Sequence, residues 1–186
     1  ADEGAVEIDE GELRKGQVPD ARAGVEEDVA VDQERSGPQV PPADAPRAPE
    51  HAQAHGADGI AMVPTFYFRP KNIEDLIEQC KYVASAAPGV PFFYYNIPAL
   101  TGVNFPLTAF MELAIREIPT FAGLKNSFTD LVDYQQCLHA SKGEYSLFWG
   151  TDEVFMMVHA AGNRNYVGST YNFMGDIYFR MLDAFH

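Results

Sequence analysis

Between residues 59 and 185 short apolar runs alternate with amphipathic stretches five times, and this alternation limits the folds open to the chain more than any other feature. GIAMVPTF (59–66), VPFFYYNIP (90–98), TFAGLKNS (120–127), YSLFWGTDE (145–153) and YVGSTYNF (166–173) read as strands. NIEDLIEQCKYVASAAPG (72–89) reads as an amphipathic helix, with Asn72 placed to cap it and Pro88-Gly89 past its end. PLTAFMELAIREIP (106–119), opened and closed by prolines, DLVDYQQCLHASKGE (130–144) and EVFMMVHAAGN (153–163) follow as helices, and GDIYFRMLDAF (175–185) begins a last one. The order βαβαβαβαβα predicts an α/β fold built on a parallel sheet with right-handed crossovers. The strands are apolar throughout, as expected where helices or a closed interior cover both faces.

Residues 1–50 do not share the pattern. They contain no Phe, Tyr or Trp, carry 14 acidic against 5 basic side chains, and end in the Pro-rich run SGPQVPPADAPRAPE. Such a segment cannot bury enough apolar surface to offset its ordering entropy, so a disordered acidic segment is expected there. The formal net charge of −14 repels phosphate backbones and argues against a nucleic-acid partner. No apolar run approaches a membrane span, and the N-terminus lacks the basic start and apolar core of a secretory signal. Cys80 and Cys137, far apart in helical patterns, read as reduced, partly buried thiols of a cytoplasmic protein. His51 and His55 lie one helical turn apart, but no third ligand is near and no metal is expected.

In a parallel α/β array the chemistry collects at the C-terminal strand ends. Each predicted strand ends in polar residues: Thr65 and Tyr67, Tyr95 and Asn96, Lys125 and Ser127, Asp152 and Glu153, Ser169 and Thr170. A lysine at the end of an apolar strand is costly unless paired or neutral. A neutral lysine amine attacks ketones and forms a Schiff base, whose iminium draws electrons from a neighbouring carbon–carbon bond. Such a reaction also needs a positioned proton carrier, and Tyr95 on the adjacent strand is a candidate. Taken singly, each residue has a plainer explanation: Tyr95 a strand aromatic, Asp152 and Glu153 a helix start, Ser169 a tight turn.

FYYNIPALTGV, GLKNS, WGTDE and VGSTYNF, in this order and spacing, resemble the N-acetylneuraminate lyase (sialic acid aldolase) family, within the class I pyruvate aldolases that include dihydrodipicolinate synthase. The resemblance covers about residues 51–186. It implies a partial TIM (β/α)8 barrel, about strands 4 to 8, preceded by the disordered segment, and a homotetramer for the complete barrel. The implied reaction is cleavage of N-acetylneuraminate to N-acetylmannosamine and pyruvate through a covalent Schiff base, with no separate cofactor and a small-molecule substrate. Lys125 is then the Schiff-base lysine, Tyr95 the proton-transfer residue, and Tyr67 a tyrosine that reaches a neighbouring subunit's site. Ser127, Gly150, Asp152, Glu153 and Ser169 match positions that hold the sugar-derived end of the substrate. Synthases that use aspartate semialdehyde carry an arginine two residues after the proline of NIP. Leu100 stands there and cannot bind a carboxylate, which favours the sugar-acid lyase branch.

The sequence also departs from the family. The first three strands and their Gly-Ser-Thr-Gly-Glu type loop, which holds the pyruvate carboxylate, are not visible in residues 1–50. Asn163, Arg164 and Asn165 stand where small residues are usual, and the closing helices after the last strand are missing. A fragment is therefore expected, from a reading frame altered near residue 50. Two other readings stand beside the lyase. One is another pyruvate-dependent aldolase, acting like dihydrodipicolinate synthase or on a 2-keto-3-deoxy sugar acid. The other is a truncated, inactive barrel remnant.

Overall fold

The computed structural model of the chain describes residues 48–185. The expected disorder of residues 1–50 falls, up to residue 47, outside the described residues. A short helix, α1 (Ala48–Ala54), crosses the boundary drawn from composition. Five parallel strands follow in a single sheet, in sequence order: β1 (Ile60–Met62), β2 (Phe92–Asn96), β3 (Phe121–Asn126), β4 (Ser146–Trp149) and β5 (Asn165–Tyr166). The connections are helical: α2 (Ile73–Ser85), the single turn α3 (Pro98–Thr101), α4 (Leu107–Glu117), α5 (Leu131–Ser141), a 3-10 turn (Asp152–Val154) leading into α6 (Phe155–Ala160), and the last helix α7 (Tyr171–Phe185). The expected βαβ order is observed.

One face of the sheet meets the helices. Phe92, Tyr94, Leu124, Leu147 and Trp149 from the strands pack against Leu76, Cys80, Phe110, Met111, Tyr134 and Cys137 of α2, α4 and α5. Each of the large apolar side chains here contributes about 1.5–3 kcal/mol by leaving water. Alternation puts Phe93, Tyr95, Lys125 and Phe148 on the other face, where all four are half-buried. A closed barrel turns that face inward.

Caps fix the helix starts. Asn72 accepts a hydrogen bond from Asp75 N at 2.7 Å, as expected of the α2 cap. The N-cap position of α4 is Pro106, which offers no side-chain cap. Asp133 of α5 supplies one from a distance: its carboxylate accepts from Leu107 N, from Thr108 N at 3.0 Å and from Thr108 Oγ1 at 2.6 Å. Asp130 in turn accepts from Asp133 N at 3.1 Å. These bonds tie the helix after β2 to the helix after β3.

The fifth strand is shorter than its apolar run. Pairing ends at Tyr166, and Tyr171 and Phe173 of that run belong to α7, whose backbone breaks helical geometry at Met174. The unusual Asn163 is fully buried. Its Oδ1 accepts from the Tyr134 hydroxyl at 2.9 Å and its Nδ2 donates to Asn165 O at 2.6 Å, stapling the turn before β5 to α5. Cys80 and Cys137 are free and completely buried rather than partly so; burial pushes the Cys80 thiol up to about 12 and the Cys137 thiol to about 11. No helix among the described residues is long and apolar enough to cross a membrane.

Candidate active site

Strand register puts Lys125 directly beside Tyr95. The flanking Leu124 and Asn126 are buried on the helix side, so the lysine emerges on the opposite face. Its Nζ lies 4.2 Å from the centroid of the Tyr95 ring. A cation over a phenol face is attracted by about 0.5–1 kcal/mol, enough to favour this rotamer over a freely extended one. The Tyr95 hydroxyl is 3.2 Å from Ser127 Oγ. A lysine, a phenol and a serine hydroxyl are thus contiguous.

A buried amide pair fixes the strand ends that carry them. Asn96 Nδ2 donates to Asn126 Oδ1 at 2.8 Å, Asn126 Nδ2 donates to Phe128 O at 2.8 Å, and Ser127 N donates to Asn96 O at 2.8 Å. Leaving either amide without its partner costs about 1–3 kcal/mol, so the pair is a stringent register lock. The role of Asn126 escaped the sequence reading. Its signal was the asparagine that follows each key residue, in YYN and in LKN.

Two glycines supply the floor. Gly150 N donates to Asn126 O at 2.8 Å. A Cβ on Gly150 strikes Ser127 Oγ and comes within 2.9 Å of Lys125 Cε. In the loop after β5, a Cβ on Gly168 falls on the Asp152 carboxylate. Each glycine therefore leaves room for a polar side chain of the preceding strand-end segment.

Asp152 Oδ2 accepts from Thr170 N at 2.9 Å and from Thr170 Oγ1 at 2.6 Å, and Thr170 Oγ1 lies 2.7 Å from the Tyr178 hydroxyl. Asp152 Oδ1 and the Tyr171 hydroxyl are buried without a hydrogen bond among the described residues. Burial first, and the neighbouring Asp152 carboxylate second, push the Tyr171 phenol well above its ordinary range. Tyr171, Tyr178 and Gly168 were not among the expected site residues, and Thr170 was named only as a polar strand end, with no role. The residue singled out in VGST was Ser169, whereas Thr170 holds the carboxylate.

Other expected residues stand apart. Ser169 and Glu153 are exposed, and Ser169 O accepts from Asn172 Nδ2 at 3.2 Å. Tyr67 is 85% exposed on the loop after β1, its ring edge-on to Phe68 at 4.9 Å. That loop is shaped by Thr65 Oγ1 donating to Phe68 O at 2.6 Å. Leu100, on α3, is exposed. A cavity of about 340 Å³ lies between the 3-10 turn, α6 and α7, lined by Asp152, Glu153, Phe155, Tyr178 and the methionines Met156, Met157, Met174 and Met181 among others. It does not reach Lys125. The His51 and His55 rings lie 4.0 Å apart, tilted by 32°, and His55 Nδ1 makes a 2.9 Å hydrogen bond with His51 O, so one ring nitrogen is engaged by the helix backbone.

Comparison with known proteins gives a consistent picture. Residues 40–186 match the Dihydrodipicolinate synthetase family, a span that begins ahead of the motifs. The chain is 43% identical over 137 residues to N-acetylneuraminate lyase of Sus scrofa, covering 73% of this chain and 43% of that protein. Among solved structures, N-acetylneuraminate lyase (sialic acid aldolase) from Aliivibrio salmonicida superposes with a TM-score of 0.70 at 34% identity, over 74% of this chain and 45% of that one. A catalytic-lysine mutant of Ruminococcus gnavus sialic acid aldolase superposes with a TM-score of 0.59 at 34% identity, over 66% and 39% of the two chains. The chain thus spans less than half the length of these relatives.

Proposed function

The chain belongs to the Dihydrodipicolinate synthetase family, and from that membership we propose that residues 51–186 are the C-terminal part of a (β/α)8 Schiff-base aldolase that cleaves N-acetylneuraminate to N-acetylmannosamine and pyruvate. The observation that carries the reading is the Lys125–Tyr95–Ser127 cluster, with Nζ 4.2 Å from the Tyr95 ring. Lys125, once its ammonium has lost a proton to solvent, adds to the keto carbon of the sugar acid, and water leaves with uptake of one proton, giving an iminium. The Tyr95 oxygen takes the proton of the substrate hydroxyl two carbons away, its own proton passing to the Ser127 oxygen 3.2 Å off and on to solvent, while the intervening carbon–carbon bond breaks. The electron pair passes to the iminium, leaving an enamine and the free aldehyde. Protonation of the enamine carbon and hydrolysis release pyruvate and restore the amine. The cycle uses no metal or separate cofactor.

Ser127 and Asp152 supply polar groups for the hydroxylated part of the substrate; Gly150 gives Ser127 and Lys125 space and Gly168 gives Asp152 space. Glu153 and Ser169, both exposed, are available to the same chain of hydroxyls. Tyr67 would serve a neighbouring copy in the tetramer that the family resemblance implies, and its exposure on the loop after β1 supports that role. Leu100 supports the sugar-acid branch, because a leucine offers nothing to an aldehyde's carboxylate.

Pyruvate with borohydride tests the proposal. Reduction of the imine should tag one lysine, located by peptide mapping at Lys125, and Lys125→Ala should abolish the tag. Tagging mainly at Lys71, Lys81 or Lys142 would sink the mechanism. No tagging at all would favour an inactive remnant.

A further inference from the structure

We propose that Arg69 is a substrate-capture residue: a guanidinium seated at the mouth of the site with its hydrogen-bond donors unspent, which draws the carboxylate of the 2-keto acid toward Lys125. This rests on the aldolase reading above. Two elements put the guanidinium there. Arg69 lies on the loop after β1, directly before the buried Pro70, a position that favours extended backbone. Gly102, the left-handed cap that ends α3 after β2, leaves its head a seat: a Cβ on Gly102 would come within 2.7 Å of Arg69 Cζ and 2.9 Å of Nη2. Both segments follow C-terminal strand ends, the end of β2 and β3 that carries Tyr95 and Lys125.

The seat holds the arginine by shape rather than by charge. Arg69 is exposed and makes no hydrogen bond or ion pair among the described residues. Other arginines are engaged: Arg116 pairs with Glu117 at 2.9 Å, Arg164 donates to His159 O and Asn163 O, and Arg180 donates to Asp176 O. The N–H donors of Arg69 are thus left for a ligand or for water. Charge gives the class of ligand. N-acetylneuraminate and pyruvate share a carboxylate beside the keto carbon, and the chain that must admit them carries a formal net charge of −14. One cation at the entrance offsets that repulsion locally, and a guanidinium meets a carboxylate with two parallel hydrogen bonds. Lys125 reacts as the neutral amine, so in its reactive form it supplies no such attraction. A purely structural role, bracing α3 against the loop after β1, uses the same Gly102 contact but is indifferent to salt and to the charge of the ketone.

Borohydride tagging of Lys125 in the full chain separates the two, with pyruvate or its neutral methyl ester as the ketone, each below saturation. Arg69→Gln should slow tagging by pyruvate about threefold at about 20 mM NaCl and by less than about 1.5-fold at about 0.5 M, where salt screens the charge. Tagging by methyl pyruvate should stay within about 1.5-fold of the parent at both salt levels. Arg69→Lys, which keeps the charge but not the plane, should retain at least about half of the parent rate with pyruvate. Lys142→Gln removes a cation at the end of α5, on the side where β4 begins, and should change neither rate. Equal losses with the two ketones, a loss that survives high salt, an equal loss in Lys142→Gln, or no loss at all would each overturn capture while leaving the aldolase intact. Absence of a tag at Lys125 with either ketone in the unsubstituted chain would overturn the aldolase reading and capture with it. If Arg69→Gln does not fold, Arg69→Met, which has an apolar stem and no charge, is held to the same values.

Discussion

Gly150→Ala isolates what the site asks of the backbone. Gly150 does not need a left-handed conformation, so alanine is acceptable to the main chain. The difficulty is space. The new methyl comes within 2.9 Å of Lys125 Cε and strikes Ser127 Oγ. Ordinary contact between such atoms begins near 3.4 Å, so Cε must retreat by about 0.5 Å and Ser127 Oγ by more. The lysine stem can bend, but its head then leaves the position over Tyr95, 4.2 Å from the ring centroid. A displacement of about 1 Å in a reacting group can cost on the order of 100-fold in rate, so half of that displacement should cost about tenfold. The assay is the rate of pyruvate-dependent borohydride tagging at Lys125, with urea unfolding in parallel. Stability should fall by only about 1–3 kcal/mol, the usual scale of overpacking. Gly175→Ala is the control: nothing lies within 4 Å of its added Cβ. It should leave tagging unchanged and stabilise α7 by about 0.5–1 kcal/mol. Unaltered tagging in Gly150→Ala would refute the claim that the glycine seats the lysine.

Other outcomes follow from the same contacts. Asp133→Ala removes three hydrogen bonds at the α4 start and should lower unfolding free energy by about 2–3 kcal/mol at unchanged m-value; a loss below about 0.5 kcal/mol would show that the cap is dispensable. Tyr95→Phe should still be tagged at Lys125 but turn over on the order of 100-fold more slowly, since imine formation and proton transfer are separate tasks. Leu100→Arg should impair N-acetylneuraminate cleavage and favour a carboxylate-bearing aldehyde; unchanged kinetics with both would place position 100 away from the substrate. Burial raises the Cys80 thiol to about 12 and the Cys137 thiol to about 11 from an ordinary 9.0. Their stabilisation is therefore complete below pH 9 and is lost as pH rises, at about 1.4 kcal/mol per pH unit per thiol until each folded-state value is reached. Urea unfolding should show a loss of about 1.4 kcal/mol per thiol between pH 8 and 10, nearly all of it above pH 9, and Cys80→Ala with Cys137→Ala should remove it.

Local signals carried the architecture. Apolar runs alternating with amphipathic stretches dictate a parallel βα array, because each run and each period is a property of adjacent residues. Asn72 as a cap and Lys125 as a strand-end lysine are of the same local kind. The family motifs added roles for those positions. Packing decided the rest. Tyr95 sits beside Lys125 only because register pairs β2 with β3, and that register is locked by Asn96 and Asn126, 30 residues apart. Nothing near Pro106 announces that Asp133 caps its helix. Asn163 stands out in the sequence only as a departure from the family pattern, and nothing near it announces its bond to the Tyr134 hydroxyl. The fifth apolar run was legible as apolar but not as half loop, because pairing stops at Tyr166 and the run passes through a loop into α7. For the same reason VGST pointed to Ser169, whereas the carboxylate is held by Thr170. A one-dimensional pattern records which faces are apolar. Which polar atom meets which depends on distances between elements, and only the folded chain sets those.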